Sequence, residues 1–153
     1  MSASDDRLLT ASAESRGGML LQVSNAMVRV YKEQFGRGPT TARSYWSGPD
    51  MLTSVLEDTL TPPERNLVAM NEHERLRDSR VFFQYAALRE FCEPIEEITG
   101  RRIRAFVSGI DTHVGGLSIE TFVLHPVGYD GASRIELSSN GRAPRSALGM
   151  HRT

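Results

Sequence analysis

A chain of 153 residues is the size of one domain, long enough to bury a core without disulfide or metal staples. Its 39% apolar and 24% charged residues are those of a globular protein, and a net charge of −1 argues against the broad positive field that draws in nucleic acid or an anionic membrane. The single cysteine, Cys92, excludes an internal disulfide, no apolar run is long enough to cross a membrane, and residues 1–18 lack the basic start and apolar stretch of a signal peptide, so a cytoplasmic protein with no direct membrane insertion is expected.

Residues 1–13 are small and polar, with no periodic apolar face, and are expected to form a flexible N-terminal tail. From about Glu14 the pattern changes. Leu20, Val23, Met27, Val30 and Gln34 follow steps of three and four, which predicts an amphipathic helix ended by Gly36. The stretch 40–46, rich in Thr, Tyr and Trp, and the stretch 51–58 then read as two strands joined by a tight turn through Gly48 and Pro49.

Thr61, Pro62, Pro63 and Glu64 together make a helix start: an N-cap hydroxyl, prolines where the backbone N–H is spare, and a carboxylate three residues on that can reach back. Leu67, Met70, Val81, Gln84, Leu88, Phe91, Ile95 and Ile98 continue near helical spacing until Gly100, with Pro94 set to truncate or kink the helix. Unbroken, that helix would span about 55 Å, against about 35 Å for a compact domain of this size. It must break or overhang, and a break is expected near residues 71–74, where the apolar spacing lapses.

Residues 102–110 and 117–124 alternate as strands around a loop with paired glycines, Gly115 and Gly116. Residues 127–153 hold many Gly and Ser and few apolar side chains, and are expected to be a disordered C-terminal tail. The expected fold is α+β: a small antiparallel sheet of two hairpins packed with two main helices in the order α-β-β-α-β-β, all within residues 14–126.

Three stretches carry a resemblance. The run from Tyr31 to Pro39, the run from Leu56 to Pro62, and Thr99, Gly100 and Arg101 with Phe106, Val107, Ser108 and Gly109 together resemble the MpsC-like family of bacteria, including cyanobacteria. That family is named for a Na+-translocating, membrane-potential-generating system whose other members are membrane proteins. The resemblance implies an accessory or regulatory role beside ion or inorganic-carbon transport, a protein partner that is a membrane transport component, and no catalytic residue or cofactor.

Candidate sites are few. The loop of Gly36, Arg37 and Gly38, with Lys32 and Arg43 nearby in sequence, offers backbone amides and guanidinium groups to an anion or small ligand, although a glycine after an amphipathic helix is also simply a C-cap. It is not a P-loop, because it follows a helix and lacks the Gly-Lys-Ser/Thr ending. Glu72, His73 and Glu74 lack a second histidine four residues on, so no metalloprotease helix is read, and Asp111, His113, Glu120 and His125 lack the tight spacing of a metal site. Ser108 has no glycine two residues before it and so no nucleophile elbow, and Gly109 is expected to mark a bulge.

Both alternations of the second hairpin are apolar: Ala105, Val107, Ile119 and Val123 on one, Phe106, Ile110, Phe122 and Leu124 on the other. A sheet covered on one side only is usually polar on the other. Phe106, Ile110, Phe122 and Leu124 are therefore taken as a candidate interaction surface, for a protein partner or a second copy in a homodimer. With no convergent acid, base and nucleophile, the expected function is a non-enzymatic regulatory interaction module, and the alternative is an anion-binding domain.

Overall fold

The computed structural model describes residues 3–140, with side chains from 15 to 137. Nine elements follow one another: α1 (Ala3–Phe35), β1 (Thr41–Gly48), β2 (Met51–Glu57), α2 (Pro62–Ala69), α3 (His73–Ala86), α4 (Leu88–Thr99), β3 (Ile103–Asp111), β4 (Leu117–Leu124) and α5 (Arg134–Asn140). The four strands form one antiparallel sheet in the order β1-β2-β4-β3, so the two hairpins meet along a seam between β2 and β4. The α+β architecture of two hairpins and helices is as the sequence patterns predict.

Local signals explain most boundaries. In α1 the stripe of Val23, Met27, Val30 and Tyr31 faces the sheet and is fully buried, and Gly36, at φ +79°, closes the helix with its N–H on Lys32 O at 3.0 Å. Thr61 and Glu64 form the reciprocal cap: Thr61 N–H donates to Glu64 Oε1 at 2.8 Å, and Glu64 N–H to Thr61 Oγ1 at 3.4 Å. At the end of α2, Asn71 takes a left-handed φ of +56°, its N–H bonds Val68 O at 2.9 Å and Glu72 N–H bonds Leu67 O at 2.8 Å. That is a Schellman stop built on asparagine, and it puts the break where the apolar spacing lapses.

A second break falls at Ala87, while Pro94 sits inside α4 without ending it. The expected long second helix is thus three short ones. The long helix is instead α1, whose 33 residues span about 50 Å at 1.5 Å per residue. It starts well before Glu14, so residues 3–13 are helical rather than a tail.

Helices α1, α3, α4 and α5 lie on one side of the sheet. Val23, Met27 and Tyr31 of α1, Phe91, Cys92 and Ile95 of α4, and the inward residues Leu52, Leu56, Ile103, Phe106, Phe122 and Leu124 make one core. Aromatic rings run through it: Tyr31 meets Phe91 edge-on, and Phe91, Phe106 and Phe122 stack at centroid separations of 5.5 and 5.3 Å. The other side of the sheet has no covering element among the described residues.

Residues beyond Pro126 differ from expectation. The chain folds back, α5 forms, and Ile135, 6% exposed, joins the core beside buried Ser133. The packed unit therefore runs to at least Ile135, and residues 141–153 of the expected tail lie outside the described part. The register shift in β3 falls between Ile103 and Ala105, at Arg104 and not at Gly109. The glycine that geometry demands is Gly116: at φ +83° in the β3–β4 loop, a Cβ would stand 2.7 Å from Leu60 Cγ.

Candidate functional site

Each predicted site residue has a definite place. Arg37 sits just past the end of α1 and spends its guanidinium on the turn after β2: Nη1 donates to Asp58 O at 2.8 Å and Leu60 O at 2.7 Å, and Nη2 to Asp58 Oδ2 at 3.1 Å. These bonds hold Asp58 in a left-handed conformation at φ +55°, so Arg37 clamps a turn. The stem of Lys32 lies against Gly38, where a Cβ would come within 3.0 Å of Lys32 Cε. Arg43 is exposed on the open face of the sheet, opposite Val55, away from this turn. Gly36, Arg37, Gly38 and Lys32 are brought together, but Arg43 is not, and Arg37 is already engaged.

The proposed contact surface is corrected. Phe106 and Phe122 are 4% and 0% exposed beneath the helices, Leu124 is buried, and Ile110, half-buried, shares their face. They are the core side of the sheet. The uncovered side is the other alternation, on which Val107 and Ile119 are 56% and 41% exposed, beside Tyr45 and Met51.

Beneath the helices lies a polar centre that no motif announces. Ser44, Ser54, Glu120 and Ser108 are successive cross-strand neighbours on the inward face of all four strands. Ser24 of α1 and Ser54 each bond Ser44 at 2.8 Å. At the middle of the row Glu120, fully buried, accepts on Oε1 from the Tyr31 hydroxyl at 2.7 Å and from Gln84 Nε2 at 2.8 Å, and Gln84 Nε2 also reaches Tyr31 Oη at 2.9 Å. Burial pushes the Glu120 carboxyl up to about 7, against the pull of the nearby Ser108 hydroxyl, of the hydrogen bonds from Tyr31 and Gln84 and of the charge of Arg80. Burial, with the charge of Glu120, also holds the Tyr31 phenol well above its ordinary range.

One helical turn before Gln84, Arg80 is buried with its plane 4.2 Å over the Phe35 ring. Its Nε donates to Glu64 Oε2 at 2.7 Å, its Nη2 to Thr59 O at 2.6 Å, and the same Nη2 bonds Glu64 Oε1. Burial pushes Glu64 upward, but Arg80 and the Thr61 N–H outweigh it and leave the carboxyl below its usual value. Around this centre Arg80 Nη1, Gln84 Oε1, Ser108 Oγ and Glu120 Oε2 are buried without a hydrogen-bond partner among the described residues.

The other candidates scatter. His125 stacks on Tyr129, Glu120 is in the core, and no three His, Cys, Asp or Glu side chains among the described residues converge as metal ligands. His113 does meet His73, the rings stacking at 4.1 Å while His73 Nδ1 bonds Thr112 Oγ1 at 2.8 Å, a pairing that bridges α3 and the β3–β4 loop. Burial pushes the Cys92 thiol up to about 12, which leaves it inert.

Over residues 15–125 the chain matches a family model described as Na+-translocating membrane potential-generating system (MpsC). The chain belongs to the MpsC family. Neither a curated protein nor a solved structure matches it. The matched span runs from the first described side chains of α1 to the residue after β4, so it contains the polar centre and the open sheet face, whereas α5 lies beyond it. No helix among the described residues of this MpsC-family chain is long and apolar enough to cross a membrane.

Sequence reasoning missed the polar centre, although its signal was present. Gln84 stands at a core-facing position of its helix, and Glu120 shares the alternation of Phe122 and Leu124. A polar residue on an apolar stripe is that signal.

Proposed function

We propose that this chain is a non-enzymatic, cytoplasmic accessory protein of a membrane ion or inorganic-carbon transport system, and that it works by docking the open face of its sheet onto a protein component of that system. The observation that carries the reading is the chemistry of that face. On the two central strands the outward residues are Met51, Thr53, Val55 and Glu57 of β2 and Leu117, Ile119, Thr121 and Val123 of β4; the only charge among them is Glu57, at the end of β2, and Arg43 stands on the neighbouring β1. Thr53 spends its hydroxyl sideways on Ser47 at 2.9 Å and Thr121 at 3.4 Å. An uncharged, mostly aliphatic centre with charges at its margin is the anatomy of a protein interface. The family description supports a membrane protein as the occupant.

Anion binding at residues 36–43 is the weaker reading, because Arg37 has its donors on Asp58 and Leu60. Val107→Asp with Ile119→Asp tests the docking reading, since both residues are exposed and the domain should melt unchanged. Expected in membrane fractions of the native cell is retention of the unsubstituted chain and release of the variant. Equal retention of both would overturn the reading, and loss of an oligomer by light scattering would assign the face to a second copy.

A further inference from the structure

The hydrogen bonds around Glu120 are lopsided. Oε1 accepts two, from Tyr31 and Gln84, while Oε2 has none, and two neighbouring acceptors, Ser108 Oγ and Gln84 Oε1, are also without partners. That is the pattern of a neutral carboxyl group: one oxygen taking two donors, as a carbonyl does, and a second oxygen to which no donor is bonded.

Among the described residues no cation forms an ion pair with this carboxyl. From α1 the carboxyl faces the neutral Tyr31, from α4 the neutral thiol of Cys92, and from β2 and β3 Ser54 and Ser108. From α3 comes Arg80, whose Nε and Nη2 are bonded to Glu64 of α2 and to Thr59, and whose charge pulls on the carboxyl without outweighing its burial.

The element above this carboxyl is weakly held by apolar contact. The buried residues of α3 are Leu76, Arg80 and Gln84, so two of its three anchors are polar, while Phe82 and Phe83 point outward, 69% and 55% exposed. Tyr85 of the same helix accepts the N–H of Ser108 on its hydroxyl at 3.1 Å, covering a backbone donor of β3, which is an edge strand.

We propose that Glu120 is a binding site for one exchangeable proton, and that loss of this proton loosens α3 from the sheet and uncovers the edge of β3. Ionisation charges a buried carboxyl whose Oε2 has only the Ser108 hydroxyl close by as a donor, and hydrating it further requires an opening. Such an opening falls on α3, because Gln84 bonds the carboxyl directly and α3 has little apolar surface to lose. The proposal stands apart from the docking reading, since it concerns the isolated chain.

Hydrogen exchange of the full chain at pH 5.5 and 8.5, corrected for intrinsic chemistry, is the test. With the carboxyl titrating at about 7 when closed and at its ordinary 4.5 when open, the opening of α3 and of the Ser108 amide should rise about thirtyfold across that range. Glu120→Gln should abolish the rise. Tyr31→Phe, which removes a donor to the anion, should shift its midpoint to higher pH, and serves if the glutamine variant fails to fold. An infrared band of a protonated carboxyl at pH 5.5, absent in Glu120→Gln, is a second readout. An α3 whose opening is the same at both pH values, an equal rise in Glu120→Gln, an unmoved midpoint in Tyr31→Phe, or no such band would each overturn the proposal.

Discussion

Arg80→Met removes a buried guanidinium while keeping a long apolar stem. What remains is Glu64, with 15% of its side chain exposed, still accepting the Thr61 N–H but facing no cation. Breaking one side of a buried ion pair costs about 3 to 5 kcal/mol, because the abandoned charge stays desolvated. Two features place this pair at the lower end: Glu64 can turn partly to water, and Arg80 Nη1 is already without a partner. Methionine also forfeits the contact of the guanidinium with Phe35 and its bond to Thr59 O. A loss of about 3 kcal/mol is expected, which lowers the melting temperature by roughly 6 to 12 °C for a chain of this length.

The acid limb of stability should change as well. Glu64 has a lowered carboxyl pKa in the fold, so its pair with Arg80 stabilises the protein above the unfolded value and that contribution fades as pH falls through the folded one. In Arg80→Met this fading should vanish. Urea titrations followed by circular dichroism between pH 3 and 7 measure both effects, and the double variant with Glu64→Gln should recover more than half of the loss. A cost below about 1 kcal/mol, or a double variant no better than the single one, would refute the view that Arg80 and Glu64 lock α3 onto α2.

Ile135→Ala should cost about 2 kcal/mol in chemical denaturation, since it empties a buried site of α5 against the core. An effect within experimental error would return residues 127–140 to the status of a dispensable tail. Thr61→Ala should cost about 1 kcal/mol by loss of the reciprocal cap, read as a lower melting temperature. Glu120→Gln should flatten the alkaline side: a carboxyl raised to about 7 stabilises the fold in its neutral form, a contribution lost as pH rises through that value, so the unsubstituted protein should lose about 2 to 3 kcal/mol between pH 5 and 8 and the variant almost none.

Much of the fold was legible because its signals are local. The cap at Thr61, the stop after Phe35, the break at Asn71 and the two hairpins each follow from a few adjacent residues. What the sequence concealed was relational. Alternation shows that Phe106 and Phe122 share a face, but not which face the helices will cover, and with both alternations apolar the choice rests on where α1, α3 and α4 come to lie. The return of residues 127–140 hangs chiefly on Ile135 and Ser133, too few residues to register in composition. In the polar centre, Gln84 and Glu120 were each visible at a core position, yet their meeting depends on α3 crossing β4, and no spacing within either element specifies it.

The strand order has a kinetic consequence. Each hairpin pairs neighbours in the chain, whereas the seam of β2 with β4 joins Leu56 to Ser118 and Met51 to Val123, with three helices in the intervening segment. Bringing such distant residues together carries a loop-closure entropy that grows only as the logarithm of the segment length, but it falls due before any seam bond forms. Turns and hairpins should therefore form early, and closure of the seam should limit the folding rate. Because the Ser54–Glu120 pair lies on that seam, the carboxyl becomes enclosed only in the final assembly.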